Sequence, residues 1–158
     1  MPLEIERKFL LVDNAWRHEV SRRRVMRQGY LAGVEGRASV RVRLDDTEAR
    51  LNIKAAVVGS ARAEYDYDMP PGEAQEILDH LCVGRIDKTR HYVERDGFTW
   101  EIDEFHGDND GLIVAEIELE NEAQWFPRPA WLGREVTDQR RYYNHSLALH
   151  PYRNWDAS

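Results

Sequence analysis

Charge recurs at every second residue through much of this chain, and its sign changes from one segment to the next. Side chains of an extended strand alternate between two faces, so residues i, i+2 and i+4 project together. Read this way, Glu4, Glu6 and Lys8 share a face, with Leu3, Ile5, Arg7 and Phe9 opposite. Arg41 and Arg43 stand against Val40, Val42 and Leu44, and Lys54 is flanked by Ile53 and Ala55. Glu64, Asp66 and Asp68 alternate with Tyr65 and Tyr67, and Lys88 aligns with Arg90. Glu101 and Asp103 are backed by Trp100 and Ile102, and Glu116, Glu118 and Glu120 by Ile117 and Leu119. One such strand is an ordinary sheet with a solvated outer face. The set is different, because solvated faces usually intersperse their signs whereas these are segregated. Like charges two residues apart repel unless something sits between them, which points to ligands.

Turn residues divide the chain into eight expected strands, at 3–12, 26–33, 37–46, 48–57, 62–69, 86–95, 98–105 and 112–120. Short connections such as Asp45-Asp46-Thr47 and Arg95-Asp96-Gly97 read as hairpin turns, so the sheet is mostly antiparallel. Helices are expected over 72–83, where Ile77, Leu78 and Leu81 have helical spacing, and over 135–149, with Thr137 or Asp138 near the start and Pro151 beyond the end. Asp13 is placed to begin a short helix over 14–20. Eight strands close into a barrel wide enough for one small ligand. The expected fold is therefore an α+β chain dominated by β structure. It is an eight-stranded antiparallel β-barrel, a tunnel with a polar interior, with the helices packed outside on the apolar faces. With 158 residues and no linker or repeat, 1–158 reads as a single domain.

Such a tunnel suits a polyanion. Lys8, Arg41, Arg43, Lys54, Lys88 and Arg90 supply six cations, and Arg and Lys are the donors suited to phosphate oxygens. The clustered Glu residues of the first and last strands suit Mg²⁺ or Mn²⁺, hard cations that prefer oxygen. A second ion would lower the pKa of a water placed in line with a terminal phosphorus. Phosphoryl transfer rests on position and electrostatics, so no Ser or Cys nucleophile is required.

The segment Glu4-Ile5-Glu6-Arg7-Lys8 resembles the ExExK signature of the CYTH domain, or triphosphate tunnel metalloenzyme, family. The likeness continues in order through RQGYL (27–31), VRVR (40–43), LNIK ending at Lys54, DKTR (87–90), WEIDEF (100–105), AEIELE (115–120) and LGREVTDQRRYYN (132–144). It is nearest to the short bacterial members that hydrolyse inorganic triphosphate. The resemblance implies metal ligation by Glu4, Glu6, Glu116 and Glu118, with Glu64 and Asp103 assisting and Glu120 a weaker candidate. It implies phosphate contacts from Lys8, Arg41, Arg43, Lys54, Lys88 and Arg90. Glu4, Glu6, Lys8 and Tyr30 would act in catalysis, Tyr30 beside the motif lysine, and Glu101 would line the tunnel. Arg141 matches a position that plugs one tunnel end. Asp66 departs from the more usual Glu, and His91 from the usual Tyr.

A formal charge of −7 argues against an open nucleic-acid face. A single cysteine, Cys82, excludes an internal disulfide. MPLEIERKFL lacks a secretory apolar run and no stretch is long and apolar enough to span a membrane, so a cytoplasmic location is expected. A homodimer is left open. Triphosphatase action on nucleoside or thiamine triphosphates, adenylate cyclase activity, and non-catalytic polyphosphate binding remain alternatives to inorganic triphosphate hydrolysis.

Overall fold

The computed structural model describes residues 2–46 and 48–156. Among the described residues there are nine strands: β1 (Leu3–Leu11), β2 (Val20–Tyr30), β3 (Ala38–Asp45), β4 (Glu48–Ala55), β5 (Ala61–Met69), β6 (Gly84–Arg95), β7 (Phe98–Phe105), β8 (Ile113–Glu118) and β9 (Leu132–Glu135). Two helices accompany them, α1 (Pro71–His80) and α2 (Asn144–Leu149). The sheet runs β5-β4-β3-β2-β6-β7-β8-β1 and closes where β5 returns to β1. Every pairing is antiparallel. These eight strands are the expected barrel, and the ninth, β9, is added beside β1.

The hairpins follow from local chemistry. Asp96 and Gly97 both take positive φ, 53° and 80°, between the paired residues Arg95 and Phe98. That is the backbone a two-residue turn between twisted strands requires. At the 45–47 turn Asp46 has φ 31°, and Thr47 lies outside the described residues, as do Met1 and the last two residues of the expected 1–158 domain.

Three expectations are corrected. β2 begins at Val20 rather than 26, because Arg22 stacks on Tyr92 at 4.0 Å and Ser21 donates to the Tyr92 carbonyl. The expected helix over 14–20 is one 3-10 turn, Ala15–Glu19, opened by Asp13 accepting from the Ala15 N–H at 2.8 Å. The helix expected over 135–149 does not form. Its first part is the end of β9, Arg140–Tyr142 is a single 3-10 turn, and α2 has six residues. The reason is that this segment satisfies the edge of β1 instead of its own carbonyls. Val136 N–H donates to the Lys8 carbonyl at 2.8 Å, and the Lys8 N–H donates to the Thr137 hydroxyl at 3.0 Å.

Apolar side chains gather in three clusters. On the outside of β1, β7 and β8, Phe9, Trp100, Ile102 and Ile117 pack with Trp16, Phe126 and Trp131. Phe9 meets Trp100 edge to face at 5.9 Å. A side chain of this kind contributes about 1.5–3 kcal/mol when fully buried. Helix α1 covers β3 and β4, setting Ala74 and Leu78 on Val42, Leu44 and Ala49. The third cluster is inside. Ile86, Phe105, Val114 and Leu10 have the strand parity of Lys88, Asp103, Glu116 and Lys8, so the face that is charged in mid-barrel becomes apolar at one end. Val136, Tyr142 and Leu147 pack against them. Helix α2 therefore lies across a barrel end rather than on an outer wall.

Gly84 fixes that docking, since a Cβ there would lie 2.7 Å from the Ala148 carbonyl oxygen and 2.9 Å from Leu149. Gly84→Ala should destabilise the protein by about 1–3 kcal/mol through overpacking, read as a lower midpoint in urea unfolding. A variant as stable as the parent would show that α2 yields freely.

Candidate functional site

The inward faces enclose a cavity of about 280 Å³. Glu4, Glu6, Lys8, Tyr30, Arg41, Arg43, Lys54, Glu64, Lys88, Arg90, Glu101, Glu116 and Glu118 all line it. Strand alternation thus brings together the site residues expected from the sequence, except Asp103 and the lesser candidates Glu120 and Arg141. The Asp103 carboxylate is fully buried behind the wall, with both oxygens engaged by Lys88 and Arg90.

The sheet order sorts the charges into two walls. The cationic strands β4, β3, β2 and β6 are consecutive, and so are β7, β8, β1 and β5, which carry the carboxylates. Ion pairs join the walls at both seams. At the first, Lys54 donates to Glu4 at 2.9 Å and lies 3.3 Å from Glu64. At the second, Lys88 donates to Asp103 at 2.8 Å, and Arg90 meets Asp103 at 2.7 Å and Glu101 at 2.5 Å. Mid-wall, β3 differs: Arg41 and Arg43 form no ion pair among the described residues, and the Nε of each is buried without a hydrogen-bond partner. Burial, then the charges of Arg41 and Arg90, lower the Arg43 pKa. A cation held under these conditions favours an incoming anion.

The anionic wall shows the complementary stress. Burial, followed by the charges of Glu4, Glu101 and Glu6, raises the Glu118 pKa. Burial and a hydrogen bond to Glu64 raise that of Glu4. Burial opposes ionisation of Glu64 too, yet the Glu4 hydrogen bond and Lys54 outweigh it and hold its pKa down. Burial works against the charge on Lys54, and Glu6 and Glu4 more than restore it. For Lys88 burial wins over Asp103, and its pKa is lowered to about 8.

Glu6 faces Glu118 and Lys8 faces Glu116 across the β1–β8 ladder. The carboxylates of Glu6, Glu116 and Glu118, with that of Glu4, are hard oxygen donors suited to a divalent cation. Among the described residues no three acidic, His or Cys groups are already gathered as a metal cluster. Most of the acids are instead paired with cations: Glu4 and Glu64 with Lys54, Glu6 with Arg62 at 3.2 Å, and Glu116 with Lys8 at 3.5 Å. Glu118 forms no ion pair among the described residues. The donor set fits a cation by its chemistry, and the crowded Glu118 is where added positive charge would relieve most.

Several contributors were missed. Arg62 and Asn52 line the cavity, and both have the parity of residues already assigned, two positions before Glu64 and Lys54, so alternation alone could have found them. Arg24 also lines it but required β2 to start earlier. The tyrosine ring beside the motif lysine is Tyr143, with Lys8 at 5.1 Å and Arg62 at 4.8 Å from its centre. Tyr30 instead stacks on His145, rings 4.5 Å apart. Arg140 faces the cavity, whereas Arg141 stacks outside on Tyr142 and Trp155. Glu120 is exposed beyond the end of β8, Asp66 is committed to Arg50 at 2.6 Å, and His91 is buried between Trp16 and Glu104.

Comparison with known proteins agrees with this geometry. An inorganic triphosphatase of Acetivibrio thermocellus is 44% identical, the alignment covering 98% of this chain and 99% of that protein. An inorganic triphosphatase of Nitrosomonas europaea is 34% identical, covering 92% and 97%. The crystal structure of the inorganic triphosphatase NE1496 superposes with a TM-score of 0.68 at 33% identity, over 92% of this chain and 97% of that one. Residues 2–149 match the CYTH domain. A closed barrel with a charged interior, its ordered motifs and this full-length similarity together place the chain in the CYTH domain family.

Proposed function

We propose that this chain hydrolyses inorganic triphosphate to pyrophosphate and phosphate, with Mg²⁺ or Mn²⁺, two ions in the full site, bound in the cavity. One observation carries the reading: two half-buried arginines, each with a buried Nε that lacks a hydrogen-bond partner and neither in an ion pair among the described residues, face a wall of crowded carboxylates. A polyanion and its divalent cations neutralise both at once. The same activity is named for relatives 44% and 34% identical over most of their length.

Arg41 and Arg43 would take the first phosphate oxygens, since neither has a protein partner to give up. Lys54, Lys88 and Arg90 extend the cradle to either side, each already oriented by a carboxylate. Lys8, held beside Glu116, faces the anionic wall and would neutralise charge nearest the metal side. Glu4, Glu6, Glu116 and Glu118 would hold the cations, with Glu64 in support, and Asp103 would orient Lys88 and Arg90. When bound, the ions supply an activated water and stabilise developing charge on the phosphoryl oxygens. Tyr30 is buried, with one face of its ring against His145, and so presents no open platform to a nucleobase, which favours the inorganic substrate.

Turnover of triphosphate should vanish with EDTA and return with Mg²⁺ or Mn²⁺; full activity in metal-free buffer would overturn the mechanism. Glu118→Gln should abolish turnover while triphosphate still raises the melting temperature, by several degrees at about a hundredfold excess over Kd. Monophosphate should do much less.

Arg41→Ala and Arg7→Ala separate the two faces of the sheet. Arg7 points outward, paired with Glu135 at 2.5 Å and lying over Phe126. Its loss should lower stability and leave kcat/KM nearly intact, whereas Arg41→Ala should reduce kcat/KM by roughly tenfold or more in a folded protein. Equal losses of activity would show the face assignment to be wrong.

With its pKa at about 8, Lys88 is charged below that pH and loses its positive charge as pH rises through it. Metal-free triphosphate affinity, measured by calorimetry, should therefore fall above about pH 8, by up to about tenfold for the loss of one charged donor. Lys88→Arg should flatten that fall, because arginine stays protonated.

A further inference from the structure

The Lys88 ammonium has three N–H donors. One goes to Asp103 at 2.8 Å and a second to the side-chain carbonyl of Asn144 at 3.0 Å. With two directions fixed, tetrahedral geometry fixes the third. Asn144 is the first residue of α2, and among the described residues its side chain makes one hydrogen bond, that from Lys88, so helix initiation does not explain it. It lines the cavity next to Lys88. The same short segment also holds the motif lysine, since Lys8 donates to the Tyr142 carbonyl at 3.2 Å.

We propose that Asn144 is a positioning residue, whose carbonyl acts with Asp103 to stop rotation of the Lys88 ammonium and aim its remaining N–H into the cavity. With the stem buried, the freedom left to the ammonium is rotation about Cε–Nζ; Asp103 alone opposes it with one hydrogen bond, and Asn144 adds a second that holds the same rotamer. The C-terminal segment thereby becomes part of the phosphate cradle and not only a barrel end. A donor aimed in advance contributes most where phosphoryl charge develops, so its loss should fall on kcat more than on KM. This inference rests on the triphosphatase reading for its kinetic arm alone.

The test compares Asn144→Leu, which keeps the shape and removes the acceptor, with Asn144→Asp, which keeps both. Steady-state hydrolysis of triphosphate is measured alongside the lysine ammonium resonances of the empty, ¹⁵N-lysine-labelled protein. The Lys88 signal is assigned by its absence in Lys88→Met. Expected for Asn144→Leu is a roughly tenfold lower kcat, KM within about twofold, and loss of the slowly exchanging Lys88 signal. Asn144→Asp should recover most of kcat and keep the signal. The inference is overturned if Asn144→Leu retains the parent kcat and Lys88 signal, or if both variants lose them equally together with melting temperature, as a packing role would require. The resonance is read without substrate, so an inactive parent protein would remove the proposed function while the Lys88 signal still decides the role of Asn144.

Discussion

Charge enclosed by a sheet that closes on itself has to be balanced by that sheet, because removing an ion from water costs several kcal/mol unless a partner restores it. Here the balance falls at two seams. Lys88 and Asp103, 1% and 0% exposed, meet at 2.8 Å, and Lys54 spans Glu4 and Glu64 on the other side. Because the seams absorb the charge where the walls touch, β3 can keep Arg41 and Arg43 without partners and β8 can keep Glu118 so. Deleting Asp103 would strand the buried Lys88 ammonium without an ion-pair partner, a change of the class that costs about 3–5 kcal/mol. The reactive middle of each wall thus depends on neutral edges.

Much of this was legible because the period of a strand is two. Glu4, Glu6 and Lys8, or Arg41 and Arg43, cannot share a face with Ile5 or Val42 in an extended chain, so the inside of the barrel could be read before its closure was known. Closure itself was not written in any one segment. The grouping of like walls comes from the strand order, in which β2 lies between β3 and β6, and β8 pairs with β1. Asp103 shows the limit: parity puts it on the inner face, but only the neighbouring Lys88 and Arg90 decide that it stands behind the cavity and not in it.

Residues 135–149 misled for a physical reason. EVTDQRRYYNHSLAL has helix-forming residues and polar starts, but local preference is weak against an unsatisfied strand edge. β1 needs partners along an edge that β5 leaves after Ile5, and Leu132–Thr137 supplies them. The following residues then turn inward, where Tyr142 and Leu147 cover Ile86 and Phe105, and Tyr143 donates to the Thr137 carbonyl at 2.6 Å. A tertiary demand overrode the helix.

The same edge of β1 has a mechanical consequence. β5 pairs with it over Leu3–Ile5 and β9 only from Phe9 onward. Between them the backbone is held by single ties, Glu6 N–H to Ser60, Lys8 N–H to Thr137 and Val136 N–H to the Lys8 carbonyl. A long ladder opens cooperatively, whereas isolated ties open one at a time and at lower cost. Amide exchange should accordingly be faster at Glu6 and Lys8 than along β6, so the stave that carries the motif glutamates and lysine is fixed along β8 and yields first at its other edge.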